Sequence, residues 1–232
     1  MKQEKRAEKF ELVIWDFDGV IADTEKLWLQ TRQEMLNEKF ALNWDFATAA
    51  HYLAGMSDRT KAEVLQRLGI ETDKTFWDEA LKRDYKFMQK GFVLTPGIRE
   101  IFEYNRAHRI KQCIATGGIL SKTLDKIRTV GIEDIFPAGE IFTVDMVKHG
   151  KPEPDIFLFA AAKMKTSPQN CAVIEDSPAG LEAALRAGMT AVAFAGSEMN
   201  KGEEFRRRVE ALGVKHIFGT MAEVAAFLKR HY

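Results

Sequence analysis

Phe10-Glu11-Leu12-Val13-Ile14-Trp15-Asp16-Phe17-Asp18-Gly19-Val20 is the stretch on which the reading of this chain turns. Its first six residues are mostly apolar, as a strand covered on both faces must be. Two carboxylates and a glycine follow at once. Side chains two apart on an extended segment point the same way, so Asp16 and Asp18 converge at the carboxyl end of the strand. Gly19 permits a tight turn directly after them. Two acidic groups forced together repel unless a cation or a shared proton relieves them. A hard divalent ion does so, and Mg²⁺ takes one or two protein carboxylates plus a substrate phosphate.

The same strand signature recurs at Gln112 to Ala115, Cys171 to Ile174 and Ala191 to Ala195, with weaker versions at Ile141 to Val144 and His216 to Phe218. Amphipathic helical segments lie between them: Ile98 to His108, Ile119 to Val130, Pro154 to Met164, Ala179 to Ala187 and Met221 to Arg230. Gly131 and Gly188 fall just past two helix ends, where a left-handed residue is wanted. This alternation predicts an α/β fold with a doubly wound, mostly parallel sheet.

One connection breaks the rhythm. About 70 residues, Thr24 to Phe92, pass before Thr95-Pro96-Gly97 restarts the pattern, whereas βα loops usually span ~2–6 residues. The stretch carries helical patterning: Leu27, Leu29, Met35 and Leu36 in one helix, Val64, Leu65 and Leu68 in a second, Phe76, Trp77, Leu81, Tyr85 and Met88 in a third. It predicts an α-helical domain over residues 24–93, inserted between the two parts of the α/β core at 1–23 and 94–232. Ligands of open α/β sheets bind at the carboxyl ends of the strands, so an insertion there acts as a lid.

Further chemistry follows later strands. Glu175-Asp176 comes directly after one of them and is followed by Ser177-Pro178. These carboxylates reach the same crevice if their strand neighbours the first, and Asp176 is also placed to cap the helix opened by Pro178. Thr116-Gly117-Gly118 joins a strand to a helix N-terminus, a hydroxyl and two glycines where backbone N–H groups meet an anion. Lys151 is held between Gly150 and Pro152 just before a helix, placed to neutralise phosphate and the crowded carboxylates.

Asp16-Phe17-Asp18-Gly19-Val20-Ile21-Ala22-Asp23-Thr24-Glu25, Gly150-Lys151-Pro152-Glu153-Pro154-Asp155 and Ile174-Glu175-Asp176-Ser177 occur in order, with the insertion after the first. In this the chain resembles the haloacid dehalogenase superfamily over nearly its whole length, in subfamily IA with a helical cap on a Rossmann-like core. The resemblance implies a Mg²⁺-dependent hydrolase acting on a small phosphorylated metabolite. In that family pattern Asp16 attacks phosphorus to form an aspartyl-phosphate. Asp18 protonates the leaving oxygen and then deprotonates water, a role for which a raised pKa is expected, and its backbone carbonyl faces the metal. Asp176 binds Mg²⁺, with Glu175 assisting directly or through water. Thr116, Gly117 and Lys151 hold the phosphoryl group.

A phosphosugar mutase of the β-phosphoglucomutase type is the nearest alternative. Those enzymes usually carry a histidine where this chain has Trp28, and an arginine at the position of Asp58, one step before Arg59. Both departures favour the phosphatase. A true haloacid dehalogenase generally lacks the second aspartate, and a phospho-accepting receiver domain would be about half this length with no insertion. Trp28, His51, Arg59, Lys82 and Lys90 are the inserted residues that could face substrate, although packing for Trp28 and solvated surface for the charged ones is the simpler expectation. His149 and Glu204 to Arg208 read as surface. Phosphorylated sugars are expected from family analogy alone.

Composition narrows the rest. Basic and acidic side chains number 34 each, for a formal net charge of +0, so no nucleic-acid partner is expected. Met1 to Lys9 is charged and lacks an apolar h-region, and no run approaches the ~20 apolar residues of a membrane helix. The two cysteines, Cys113 and Cys171, sit in apolar runs, which suits core packing and a reducing compartment. The five histidines show no zinc-ligand spacing. A cytoplasmic monomer is the expectation.

Overall fold

Residues 9–200 and 202–232 are described by a computed structural model of the protein; Met1 to Glu8 of the charged N-terminal segment lie outside the described residues. Six strands form one sheet in the order β3-β2-β1-β4-β5-β6, and every neighbouring pair is parallel. They are β1 (Leu12–Trp15), β2 (Lys111–Thr116), β3 (Ile141–Thr143), β4 (Cys171–Glu175), β5 (Thr190–Phe194) and β6 (His216–Phe218). The two weak sequence signals are the two edge strands, three residues each. A short edge has few positions on which to write an apolar pattern.

The period of two in β1 divides the core. Val13 and Trp15 point into one apolar layer with Ile114, Ile174, Ile101, Phe102 and Phe227. Leu12 and Ile14 point into the other with Cys113, Val173, Phe157 and Leu181. Helices α5 (Ile98–Ala107), α6 (Leu120–Val130) and α10 (Met221–Lys229) cover the first face. Helices α7 (Asp155–Lys163), α8 (Pro178–Arg186) and α9 (Glu203–Ala211) cover the second. Both cysteines are free and buried in this second layer. Gly131 closes α6 at φ 65° and Gly188 follows α8 at φ 72°, the conformation their type favours.

Between β1 and α5 lie four helices: α1 (Glu25–Phe40), α2 (Phe46–Leu53), α3 (Asp58–Arg67) and α4 (Lys74–Met88). The sequence pattern predicts three. Missing from it is α2, an eight-residue segment whose start is fixed by the Asp45 carboxylate accepting from Thr48 N–H at 2.8 Å. It is short and apolar nearly all round, so it shows no clear polar face to mark a period, and its cap is the better signal. These helices share an apolar cluster of their own, built on Leu29, Met35, Leu36, Leu65 and Phe76. Among the described residues no helix is long and apolar enough to cross a membrane.

Candidate active site

Strand β1 lies between β2 and β4, with Trp15 opposite both Ile114 and Ile174. The residues just past these partners therefore meet at one end of the sheet. After Trp15 the chain turns sharply: Ile21 N–H and Ala22 N–H both donate to Phe17 O, and Gly19 N–H donates to Ala22 O at 2.7 Å. Gly19 has φ 83°, and a Cβ there would lie 1.9 Å from Asp176 Oδ2. The turn needs glycine for its backbone and for the close approach of the acidic motif after β4.

Asp16, Glu175 and Asp176 present oxygens that all lie within 4.8 Å of one another, and all three residues are buried. Lys151 Nζ donates to Asp16 Oδ1 at 2.6 Å and to Glu175 Oε1 at 2.5 Å. Glu175 Oε2 accepts from Ser177 N–H at 2.7 Å and Ser177 Oγ at 2.9 Å. Ser177, not Asp176, caps α8, its Oγ accepting from Gly180 N–H at 3.1 Å. That frees Asp176 from the capping role the sequence left open.

Three carboxylates share one ammonium here. Burial pushes the Asp16 carboxyl up to about 7; Lys151 opposes the rise, and Glu175 and Asp18 add to it. Asp176 is raised by burial and by the charges of Glu175 and Asp16. Crowded, desolvated oxygens of this kind suit a hard divalent cation, and the donor set is one that Mg²⁺ accepts. Asp16, Glu175 and Asp176 are the residues that could hold it; Asp16 and Glu175 both share Lys151, and Glu175 is further engaged by Ser177.

Asp18 faces the other way. The expectation that the Asp16 and Asp18 carboxylates converge on one cation is corrected: the Asp18 carboxylate lies outside the acidic group. Lys126 Nζ donates to Oδ2 at 2.6 Å, Trp28 Nε1 donates to Oδ1 at 2.6 Å, and Thr24 Oγ1 donates to the same oxygen. Burial alone would raise its pKa, yet Lys126, then Lys122 and the hydrogen bonds hold it well below the ordinary carboxylate range. The expectation of a raised value is corrected: the cations of α6 and the hydrogen bonds outweigh burial. Trp28 does more than pack. It is buried, as expected, but its indole N–H is spent on Asp18 and its ring lies 3.8 Å from Lys122 Nζ.

The inserted helices carry a second set of charges, with Arg32 and Asp84 buried and Asp58 partly exposed. Arg32 Nη2 donates to Asp58 Oδ2 at 2.7 Å and to Asp84 Oδ2 at 2.8 Å, and Lys122 of α6 donates to Asp84 from the core side. Glu25 accepts from Gly55 N–H at 2.9 Å, and a Cβ on Gly55 would lie 2.2 Å from Ser177 Cβ, so this loop sits directly on the core. Asp16, Asp18, Thr116, Gly117, Lys151, Glu175 and Asp176 all line one cavity of about 260 Å³ roofed by α1, α3 and α4.

Thr116 is buried, its Oγ1 accepting from Gly118 N–H at 3.2 Å. Of the inserted residues singled out in sequence, Trp28 and Arg59 line the cavity, whereas His51, Lys82 and Lys90 are not among its walls. His149 is paired with Asp155 at 3.1 Å. Lys122 and Lys126 were missed, although two lysines four apart on the helix after Thr116-Gly117-Gly118 were a readable signal. Arg32 offered none.

A family model for haloacid dehalogenase-like hydrolases matches residues 13–194. A phosphorylated carbohydrates phosphatase of Thermotoga maritima is 29% identical over 83% of this chain and 88% of its own length. A β-phosphoglucomutase of Bacillus subtilis is 34% identical over 78% of this chain and 81% of its own. The crystal structure of a hydrolase from Pseudomonas syringae superposes with TM-score 0.79 over 97% of this chain and 99% of that one, at 24% identity.

Proposed function

This chain belongs to the haloacid dehalogenase-like hydrolases, and we propose that within them it is a Mg²⁺-dependent phosphatase of small phosphorylated metabolites, working through an aspartyl-phosphate on Asp16. The observation that carries the reading is the presence, in one cavity, of two carboxylates two residues apart in opposite surroundings. Asp16 sits with Lys151 in the acidic group, and Asp18 sits apart, tethered to Lys126, Thr24 and Trp28. Carboxylates with separated environments divide nucleophile from acid–base work.

An oxygen of Asp16 attacks phosphorus while the ester P–O bond breaks, and the leaving oxygen takes a proton from Asp18. Water then attacks the phosphorus, Asp18 removes its proton, and the Asp16–phosphorus bond breaks to free inorganic phosphate. Asp18 is held ionised in this geometry, the state the second half requires. An incoming phosphoryl dianion adds negative charge beside it and favours the protonated state that the first half requires. Thr116 and the N–H of Gly117 hold phosphoryl oxygens, and Lys151 balances their charge. Glu175 acts by fixing Lys151. Asp16 and Asp176, with the carbonyl of Asp18, would hold Mg²⁺, which would supply charge neutralisation at the transferring group.

Residues 24–93 form the cap in this reading, and the core comprises 1–23 and 94–232. Sugar or polyol phosphates are the favoured substrates, because relatives named for phosphorylated carbohydrates and hexitol phosphates match about four-fifths of the chain. A mutase is the second reading, supported by the 34% identical β-phosphoglucomutase. Release of inorganic phosphate from a panel of sugar, polyol and glycerol phosphates, with β-glucose 1-phosphate and its bisphosphate activator included, separates the two. The phosphatase reading expects free phosphate that disappears with EDTA and returns with Mg²⁺. Isomerised sugar phosphate without free phosphate overturns it.

A further inference from the structure

Beyond β5 the chain crosses from the core to the inserted helices in four residues. Ala195 N–H donates to Phe218 O at 2.7 Å. At Gly196 a Cβ would lie 2.3 Å from Phe194 Cζ and 2.6 Å from the Gly219 carbonyl oxygen, so the root of the turn is wedged between two elements. A 3-10 turn, Glu198–Asn200, follows, closed by Asn200 N–H donating to Ser197 O at 3.1 Å.

The two ends of this turn hold different parts of the molecule. Asn200 Nδ2 donates to Asp176 Oδ2 at 2.9 Å and also to the Asp176 carbonyl. Ser197, buried at 2% exposure, has its Oγ 3.4 Å from the same Oδ2. Both side-chain donors fall on one oxygen, so the rotation of the carboxylate is fixed from this side. Met199, between them, packs into the apolar cluster of the inserted helices, and every other member of that cluster lies between Leu29 and Ala80. Helix α1 rests against the turn.

We propose that the turn Glu198–Asn200 is a positioning strut through which the inserted helices set the carboxylate of Asp176, and with it the affinity of the site for Mg²⁺; this rests on Asp176 being a metal ligand, as read above. A hydrogen-bonded partner that orients a ligating carboxylate governs metal affinity. Asn200 has that place here. Met199 is its covalent neighbour, so a shift of α1 relative to the core is passed along the chain to Asn200. By linkage, whatever seats the inserted helices tightens Mg²⁺, and Mg²⁺ in turn favours the seated arrangement.

Calorimetric titration of Mg²⁺ into the EDTA-stripped full chain tests this, with thermal melts recorded alongside. Asn200→Ala is expected to weaken Mg²⁺ by about 10- to 100-fold. Met199→Ala, which removes no group that touches Asp176, is expected to weaken it by about 3- to 30-fold, and Met199→Leu to restore it. Simple cap packing predicts a lower melting temperature with Mg²⁺ affinity unchanged. Met199→Ala that binds Mg²⁺ as the wild type does therefore overturns the strut while leaving the metal site standing. If Met199→Ala does not yield folded protein, Met199→Gln carries the same expectation. Wild-type protein that takes up no Mg²⁺ removes the reading of the site itself, and the strut with it.

Discussion

The cavity has two charged walls, and they are built on opposite rules. On the core wall Asp16, Glu175 and Asp176 crowd around Lys151. At and behind the opposite wall Arg32, Lys61 and Lys122 are set against Glu25, Asp58 and Asp84, so cations and anions balance. A balanced buried network is complete as it stands and holds elements together. An unbalanced one is complete only with a further cation or a proton. Buried charge therefore marks a functional centre here where it fails to cancel, and a structural joint where it does.

Breaking the unbalanced wall has the largest expected effect. Asp16→Asn keeps the size of the side chain and loses the nucleophile, so turnover should be abolished while circular dichroism and melting temperature stay near wild type. Substantial residual phosphate release would place the nucleophile elsewhere. Breaking the balanced wall should do the reverse. Asp84, fully buried, answers both Arg32 and Lys122, and Asp84→Asn should cost about 3 kcal/mol of stability by leaving a buried charge unpaired. Adding Lys122→Met to Asp84→Asn should recover part of that loss in a denaturant titration. A double variant no more stable than the single one would mean that Lys122 is not the charge left stranded.

Asp18 lies where the walls meet, and Trp28→Phe probes the joint. It keeps the ring over Lys122 and removes the indole donor at 2.6 Å. Turnover should fall about 10-fold with stability little changed, the size expected for one hydrogen bond to a charged group. The smallest effect concerns acid. Burial would raise Asp58, but Arg32 and then Lys61 hold it well below the ordinary carboxylate value. Its contribution is therefore present above the unfolded pKa of about 4 and is lost as pH falls below that value. The stability deficit of Asp58→Asn should stay flat from pH 8 to pH 5 and shrink below pH 4. A deficit that shrinks already at pH 6 would mean another group titrates in this network.

The two walls also differ in how far they could be read in advance. The core wall lies at strand ends, where apolar run, carboxylate and glycine are adjacent in sequence, so Asp16, Thr116, Lys151, Glu175 and Asp176 were all legible. The strands were legible for the same reason, whereas the neighbouring of β1 and β4 entered only as a condition that the pairing of Trp15 with Ile174 meets. Arg32, Asp58, Asp84 and Lys122 lie far apart along the chain on four different helices. Each looks like any charged residue on an amphipathic segment, and only helix packing shows that they share one site. The low pKa of Asp18 was illegible on the same ground, since it depends on lysines more than 100 positions away, Lys126 being 108 residues on.

The glycine after each acidic motif has a consequence for how this protein can change. A Cβ at Gly19 would sit 1.9 Å from Asp176 Oδ2, and one at Gly180 would sit 1.8 Å from Glu175 Oε1. A methyl group is the smallest side chain that replacement can add, and at either place it displaces a carboxylate of the acidic group. The floor of the cavity is thus closed to gradual drift. Directed evolution toward a new substrate should find its accepted changes in the roof, at positions such as Met56, Trp77 and Leu81 that line the cavity, and almost none among the residues that hold the phosphoryl group.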